Sequence, residues 1–422
     1  MIVKEANIIT DINKNKDQIS ILTITLFLLA IFLNQTFIFY GINTSLADIF
    51  CILTLSLIVN KLVIPIKHLA FFIVLSISVF ISSTFFVPIT LGYHPEIKSV
   101  FSNYIKLAMV FLYFIIGYNI AKLKAIDKVI KWYSIVAFFC AIIGIVWSFL
   151  KINFLSEILF FGGTRFRGFL NDPNYFSIIQ ITALAYLSRT VKTKCKFIIW
   201  IVFILSVVTT GSKTGMVTLV IYASIRFIEY LISIKNNLQK NLLKVPILIL
   251  LLLIIIPILT FSYQTIFQKL SVTFPVFLRI ESVFFDFSSS ITENGSGRLV
   301  TWENAIKLIL LSPILGIGVG TYSGLANTLF GSVSIAHNTY LQLAVEWGLP
   351  LALVFFIYVI SILWISYRKQ KIKNTVNTIS ILRDIIIILL IGSMAISLNN
   401  ARMFWLYFGS LVYSVFFHKR EK

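Results

Sequence analysis

Apolar stretches long enough to cross a bilayer, about 20 residues each, recur along most of this chain, and short clusters of lysine and arginine separate them. Hydrocarbon offers no water to hydrogen-bond a backbone, so a segment that crosses it must be a helix or part of a closed barrel. Barrel strands alternate apolar and polar residues over segments of roughly ten residues, and runs such as 245–259 do not alternate. The fold class is therefore an all-α polytopic membrane protein. Composition agrees: 58% of residues are hydrophobic and only 12% charged, against about 25% charged in a soluble domain. A single integral domain over 1–422 is expected.

About twelve candidate spans follow: 20–40, 45–60, 69–89, 104–121, 130–150, 174–188, 197–211, 214–233, 245–263, 348–367, 380–397 and 402–417. Basic clusters occupy alternate connections. Lys61 and Lys67 follow the second span, Lys122, Lys124, Lys128 and Lys131 the fourth, Arg189, Lys192, Lys194 and Lys196 the sixth, and Arg368, Lys369, Lys371 and Lys373 the tenth. Excess Lys/Arg marks the cytoplasmic side, which predicts an inner-membrane protein with both termini in the cytoplasm. The first 19 residues are mostly polar and no small-residue cleavage site follows the first apolar run, so no removable signal peptide is expected. The formal charge of +20 is spent on this topology. Scattered between spans, it argues against nucleic acid as a partner, and membrane lipids are the expected surroundings.

Three outward connections are more than turns. The first, 90–103, holds His94, Glu96 and Lys98. The second, 151–173, holds Arg165, Arg167 and Asp172, with Asn174 just beyond. The third, 264–347, is a large extracytoplasmic loop, and one of that length without internal structure would be unusual. Within it Leu299, Trp302, Ala305, Ile306 and Ile309 recur at helical spacing. This predicts a short helix over 298–311 with its apolar face in the membrane interface, preceded by Gly297 and stopped by Pro313.

Arg298 stands where that helix begins, after Gly295, Ser296 and Gly297. A helix N-terminus offers free N–H groups and partial positive charge, and a guanidinium binds phosphate oxygens in pairs, so pyrophosphate is a suitable ligand. Contact with lipid head groups is the plainer alternative. Arg165 and Arg167 put two positive charges on the side that normally lacks them. They read as a second phosphate-binding arm, or as a turn whose arginines pair with Asp172. His337 is one of four histidines in the chain and is a candidate general base. It leads into a helical stretch over 338–347 that holds Asn338 and Glu346, two further candidate substrate contacts. Lys213 sits in a turn that resembles a shortened phosphate loop. The spacing of a nucleotide-binding loop is missing, which leaves Lys213 as a third basic contact.

Cys51, Cys140 and Cys195 have no paired spacing, the outward loops lack a Gly-x-Ser-x-Gly elbow, and no Asp-x-Asp or His-Glu-x-x-His occurs outside the spans. No metal and no cofactor is expected.

The blocks 295–302, 313–320, 337–342 and 346–349, with 165–174, together resemble the O-antigen ligase and O-antigen or capsular polysaccharide polymerase superfamily. The resemblance implies a GT-C-like membrane glycosyltransferase that moves a glycan from an undecaprenyl-pyrophosphate carrier to an acceptor glycan lipid on the outer face of the membrane. It implies that arginines hold the pyrophosphate and a histidine activates the acceptor hydroxyl. These roles fall on Arg298 and His337, with Arg167 as the upstream arginine because Gly168 follows it and Arg165 as the alternative. Lys213 stands where many relatives carry arginine, and lysine keeps the charge but loses the paired geometry. A polysaccharide polymerase is the first reading and an O-antigen ligase acting on lipid A-core the second, with a chain-length regulator and a flippase as possible companions. From another class, a lipid-linked oligosaccharide flippase would need charges deep within the bundle, where the sequence offers only Arg226, Glu229, Arg383 and Asp384 near inner span ends.

Overall fold

The computed structural model describes residues 20–39, 42–235, 298–333, 335–370 and 378–417. The expected span 245–263, the start of the large loop and Gly295–Gly297 lie outside the described residues. The architecture is a helical bundle. Among the described residues, five helices are long and apolar enough to cross a membrane: α3 (Ile66–Leu91), α4 (Ile97–Lys122), α5 (Ile126–Leu150), the first 19 residues of α8 (Lys213–Lys235) and most of α12 (Leu349–Gln370). Six further helices answer to expected spans but are shorter or more polar: α1 (Ser20–Phe32), α2 (Leu46–Ile58), α6 (Pro173–Thr190), α7 (Thr193–Thr209), α13 (Thr378–Gly392) and α14 (Arg402–Phe417). Among the described residues between α8 and α12 lie three short helices: α9 (Arg298–Leu311), α10 (Tyr322–Phe330) and α11 (Thr339–Trp347).

Small residues set the closest helix pair. A Cβ on Gly117 of α4 would lie 1.8 Å from the Leu406 carbonyl oxygen of α14, and one on Gly409 would lie 2.1 Å from that of Phe114. The two backbones therefore touch, and Ser410 donates to the Gly117 carbonyl at 2.8 Å. Without a hydrophobic drive between helices in lipid, such contact and hydrogen bonding are the means of association.

The connections segregate to two ends. At one end Lys122 donates to the Lys61 carbonyl, Thr378 to Asp127 and Lys369 to the Val415 carbonyl. There too Arg189 bridges Asp384 and Glu229, and Arg383 bonds both carboxylates at 3.0 and 2.9 Å. This network ties α6, α8 and α13 together and neutralises charges that burial would otherwise penalise. At the other end the Thr36 amide donates to the Phe169 carbonyl, and Arg165 meets Thr210. Both described chain ends, Ser20 and Phe417, belong to the first of these two ends.

The helix over 298–311 forms as expected, but its inward face differs. Thr301, Asn304, Ala305 and Leu308 are buried against the protein, while Leu299, Ile306 and Leu310 stay exposed. Two expected spans are shortened. The run 20–40 gives a helix only to Phe32 and then a hairpin, Phe37–Phe39 with Ile42–Thr44, in register Phe37↔Thr44. The run 380–397 stops at Gly392, because the following residues turn to bond Thr339: its amide donates to the Ser393 carbonyl and its hydroxyl to that of Ile396. A second small hairpin pairs Phe161 with Arg165. These two pairs are the described departures from an all-α fold.

The glycine-rich block after α9 is a packing device. Gly316, Gly318 and Gly320 all adopt left-handed backbone, with φ of 68°, 74° and 79°. A Cβ on Gly318 would lie 2.5 Å from the Val79 carbonyl oxygen, and one on Gly320 2.7 Å from that of Ser99. Residues 82–86 of α3 form a turn of π-helix at this contact, where Ser82 donates to the Leu315 carbonyl at 2.9 Å. A π-bulge opens the helix enough to receive the loop.

Candidate active site

Four segments converge at the end of the bundle opposite the lysine-rich connections. The first is the turn after the second hairpin. Arg165 is buried there and reaches sideways: its Nε donates to the Thr210 carbonyl at 2.9 Å and its Nη2 to Asn174 Oδ1 at 2.9 Å. Asp172 caps α6, accepting from the Asn174 amide at 2.8 Å, with Pro173 at the first helical position. Asn174, two residues on, accepts from Arg165.

The second segment joins α7 to α8. Ser212 Oγ accepts from the Gly215 amide at 2.9 Å and so caps α8, leaving Lys213 and Thr214 in its first turn. A Cβ on Gly215 would lie 2.3 Å from Ser177 Oγ, so glycine lets this N-terminus sit against α6. The third segment is α9: Arg298 Nη2 lies 3.5 Å from Thr214 Oγ1, and Thr301 Oγ1 meets the Ala336 carbonyl at 3.5 Å. The fourth is 335–339. His337 has φ of 47°, a left-handed conformation uncommon outside glycine and, where it occurs, often found at functional sites.

Electrostatics links these pieces. His337 is exposed at its outer edge, yet the protein around its ring desolvates it and lowers its pKa below 6.5; Arg298 lowers it further and Asp172 opposes both. Arg298, Asp172 and His337 thus share one neighbourhood, which Arg165 joins through Asn174 and Thr210, and Lys213 through its place beside Thr214. At neutral pH the histidine is held unprotonated, able to accept a proton.

Three expected residues point elsewhere. Arg167 Nε and Nη2 donate to the carbonyls of Ile158 and Glu157 at 3.1 and 3.0 Å, so of the two arginines it is Arg165 that converges on α8. Asn338 Oδ1 accepts from the Tyr340 and Leu341 amides at 2.9 and 3.2 Å; it caps α11. Glu346 is buried at the far end of α11, accepts from Gln342 Nε2 at 2.8 Å, and burial raises its pKa from 4.5 to about 7. It lines a separate polar cavity with Lys106, Gln342, Asn399 and Arg402. Sequence reasoning passed over that cavity, although Lys106, a charge inside an expected span, is the kind of residue that marks a functional site in membrane proteins.

Residues 197–356 match the family model described as O-antigen ligase. The resemblance to the O-antigen ligase and polymerase superfamily is thereby shown. The match takes in Lys213, Arg298, His337 and Glu346, whereas the Arg165 turn lies before it and joins the site through the fold. No curated protein matches the chain. The functional class is membrane glycan transfer by a glycosyltransferase-like enzyme, and with the long apolar helices the family makes this a multi-pass protein of the bacterial inner membrane.

Proposed function

We propose that the chain transfers a glycan from an undecaprenyl-pyrophosphate carrier to an acceptor glycan, on the outer face of the membrane, as a polysaccharide polymerase. The observation that carries this reading is the convergence of Arg298, Arg165 and Lys213 on the N-terminus of α8, with His337 beside them. As the bond between the anomeric carbon and the phosphate oxygen breaks, its electrons pass to the pyrophosphate. Fixed cations and a helix N-terminus aimed at that growing charge stabilise it. The acceptor hydroxyl attacks the anomeric carbon from the opposite side, inverting it, and gives its proton to the unprotonated His337. No step needs a metal in this scheme.

Sidedness supports the donor. The site occupies the end of the bundle opposite Lys122, Lys124, Lys192 and Lys369, and the Lys/Arg rule puts those in the cytoplasm, with both termini. An outward site has no access to nucleotide sugars and must draw on a lipid-linked one. The flippase reading fares less well, because Arg189, Arg383, Asp384 and Glu229 are paired with one another at the cytoplasmic end.

The second reading is an O-antigen ligase acting on lipid A-core, favoured by the description of the matching family. Purified protein given a lipid-pyrophosphate glycan separates the two: lengthening polysaccharide identifies a polymerase, and transfer to lipid A-core alone a ligase. Failure to form any glycosidic bond, or full transfer by His337→Ala, refutes the proposal.

A further inference from the structure

The polar cavity that holds Glu346 has no task in the chemistry just described. It measures about 410 Å3, within the roughly 300–1,000 Å3 of small-molecule sites. It is built from four distant segments: the hairpin and start of α2 (Asn43, Asp48), the first half of α4 (Asn103, Lys106), α10 and α11 (Tyr322, Gln342, Glu346), and the turn into α14 with its first residue (Asn399, Arg402). Arg402 is already engaged, since its Nε and Nη2 bond the two Asp48 oxygens at 2.6 and 2.7 Å. That leaves one lysine, one carboxyl and a wall of amides and hydroxyls. Gln342 is buried, and its Oε1 has no hydrogen-bond partner, an arrangement that costs free energy unless a ligand or water supplies a donor. Amides and a carboxyl suit the paired hydroxyls of a sugar; one lysine against one carboxyl is a poor match for a pyrophosphate.

The cavity also adjoins an apolar groove. Asn103, Glu346, Asn399 and Asn400 line both it and a gap of about 10 Å3, and Leu107 and Val110 of that gap also line the groove, which measures about 860 Å3. The groove runs between α3, α4, α12 and α14, past Phe72, Phe111, Phe355 and Phe408. From Leu107 to Tyr118 it follows α4 for roughly 16 Å at 1.5 Å per residue. A polar chamber beside an apolar groove, with Leu107 and Val110 at their border, fits an amphiphile with a polar head and a hydrocarbon tail.

We infer that these adjoining cavities seat the acceptor, a lipid-linked glycan, with its sugars among Gln342, Glu346, Asn103 and Asn399 and its hydrocarbon chain in the groove. The inference rests on the transferase reading above. Its geometry places the acceptor beside the segment that carries the base: Ile335 is part of the cavity wall, and His337 lies two residues further on, on the side where Ala336 meets Thr301 of α9. Segment 335–339 is then a partition, with the donor's pyrophosphate on one side and the acceptor's sugars on the other.

The test uses the full-length protein in detergent. The probe is the repeat-unit oligosaccharide released from its lipid carrier by mild acid. Ser323, at the cavity rim and exposed, permits a blocking variant that leaves the buried bonds intact. Ser323→Trp and Gln342→Leu should each weaken binding of the oligosaccharide at least tenfold. Both should raise the acceptor KM by a similar factor, with donor KM unchanged. The lipid-linked glycan should show an acceptor KM at least tenfold below that of the free oligosaccharide. Wild-type acceptor KM and oligosaccharide affinity in Ser323→Trp would overturn the inference, and equal KM for the lipid-linked and free glycans would remove the groove from it. If the wild-type protein forms no glycosidic bond yet Ser323→Trp still abolishes oligosaccharide binding, the transferase reading fails and the sugar site stands.

Discussion

Replacing Arg298 with glutamine tests the site through two readouts at once. The fold should survive, because α9 is held by Thr301, Asn304, Ala305 and Leu308, and the hydrogen bond from Arg298 to Thr214, at 3.5 Å, is long and contributes little. Catalysis should not survive intact. Removing one donor aimed at charge that grows in the transition state costs about 2.7–4 kcal/mol, or 10²–10³ in kcat. The second readout is pH. His337 is lowered from 6.5 by burial first, by Arg298 second, and is raised by Asp172 least of all. Without the cation, the acid limb of kcat/KM, which reports the base in the free enzyme, should move to higher pH. It should stop short of 6.5, since burial outweighs Asp172. Arg298→Lys keeps the charge and loses the paired geometry, so its rate should fall while its limb stays in place. The assay is glycan transfer by purified protein over a pH series. A glutamine variant within threefold of wild type, or with a limb that stays still or moves down, would refute the reasoning.

Other substitutions probe single links. Asp172→Asn keeps an oxygen to cap α6 but removes a charge that raises His337, so its acid limb should move to lower pH; an upward shift would contradict this. Glu346 has a native pKa of about 7 against 4.5, so the folded state binds its proton more tightly. Stability from this group is then greatest below about pH 4.5 and declines until about pH 7. At 1.36 kcal/mol per pH unit the decline is roughly 3 kcal/mol. Thermal unfolding in detergent should show this slope for wild type and lose it in Glu346→Gln. Gly409→Val places a side chain where even a Cβ lies 2.1 Å from the Phe114 carbonyl oxygen. Overpacking of this kind costs about 1–3 kcal/mol or more, and an unchanged melting temperature would show that α4 and α14 are not in backbone contact.

What the sequence reveals depends on how local the cause is. The long apolar runs at 69–89, 104–121, 130–150, 214–233 and 348–367 become α3, α4, α5, α8 and α12, because length and hydropathy suffice to specify them. Hairpin 37–44 escapes notice since each strand is three residues long, too short for an alternating pattern to register. The early end of α13 is set by Thr339, more than fifty residues upstream. Arg298 and His337 stand out because such residues are scarce in outward connections. Spacing cannot rank Arg165 against Arg167, two residues apart in one turn; only the positions of Thr210 and of the carbonyls at 157 and 158 do so. The polar cavity is least legible, as it draws on segments from Asn43 to Arg402.

The segment 335–339 shows why the site depends on bonds made away from it. His337 takes a left-handed backbone that few side chains favour, so neighbouring contacts must hold it there. On one side the Ala336 carbonyl meets Thr301 of α9. On the other Thr339 is fixed three ways: its amide to the Ser393 carbonyl, its hydroxyl to that of Ile396, and the Leu398 amide to its oxygen at 2.8 Å. Asn338 meanwhile caps α11, whose far end carries Glu346 and locks into the glycine block, with the Gly318 amide donating to the Glu346 carbonyl at 3.0 Å. The glycine block is in turn seated on the π-bulge of α3. The motifs that stand out in the sequence therefore divide their labour: the proposed function gives Arg298 and His337 the chemistry, while the glycines and Asn338 fix the backbone that presents them.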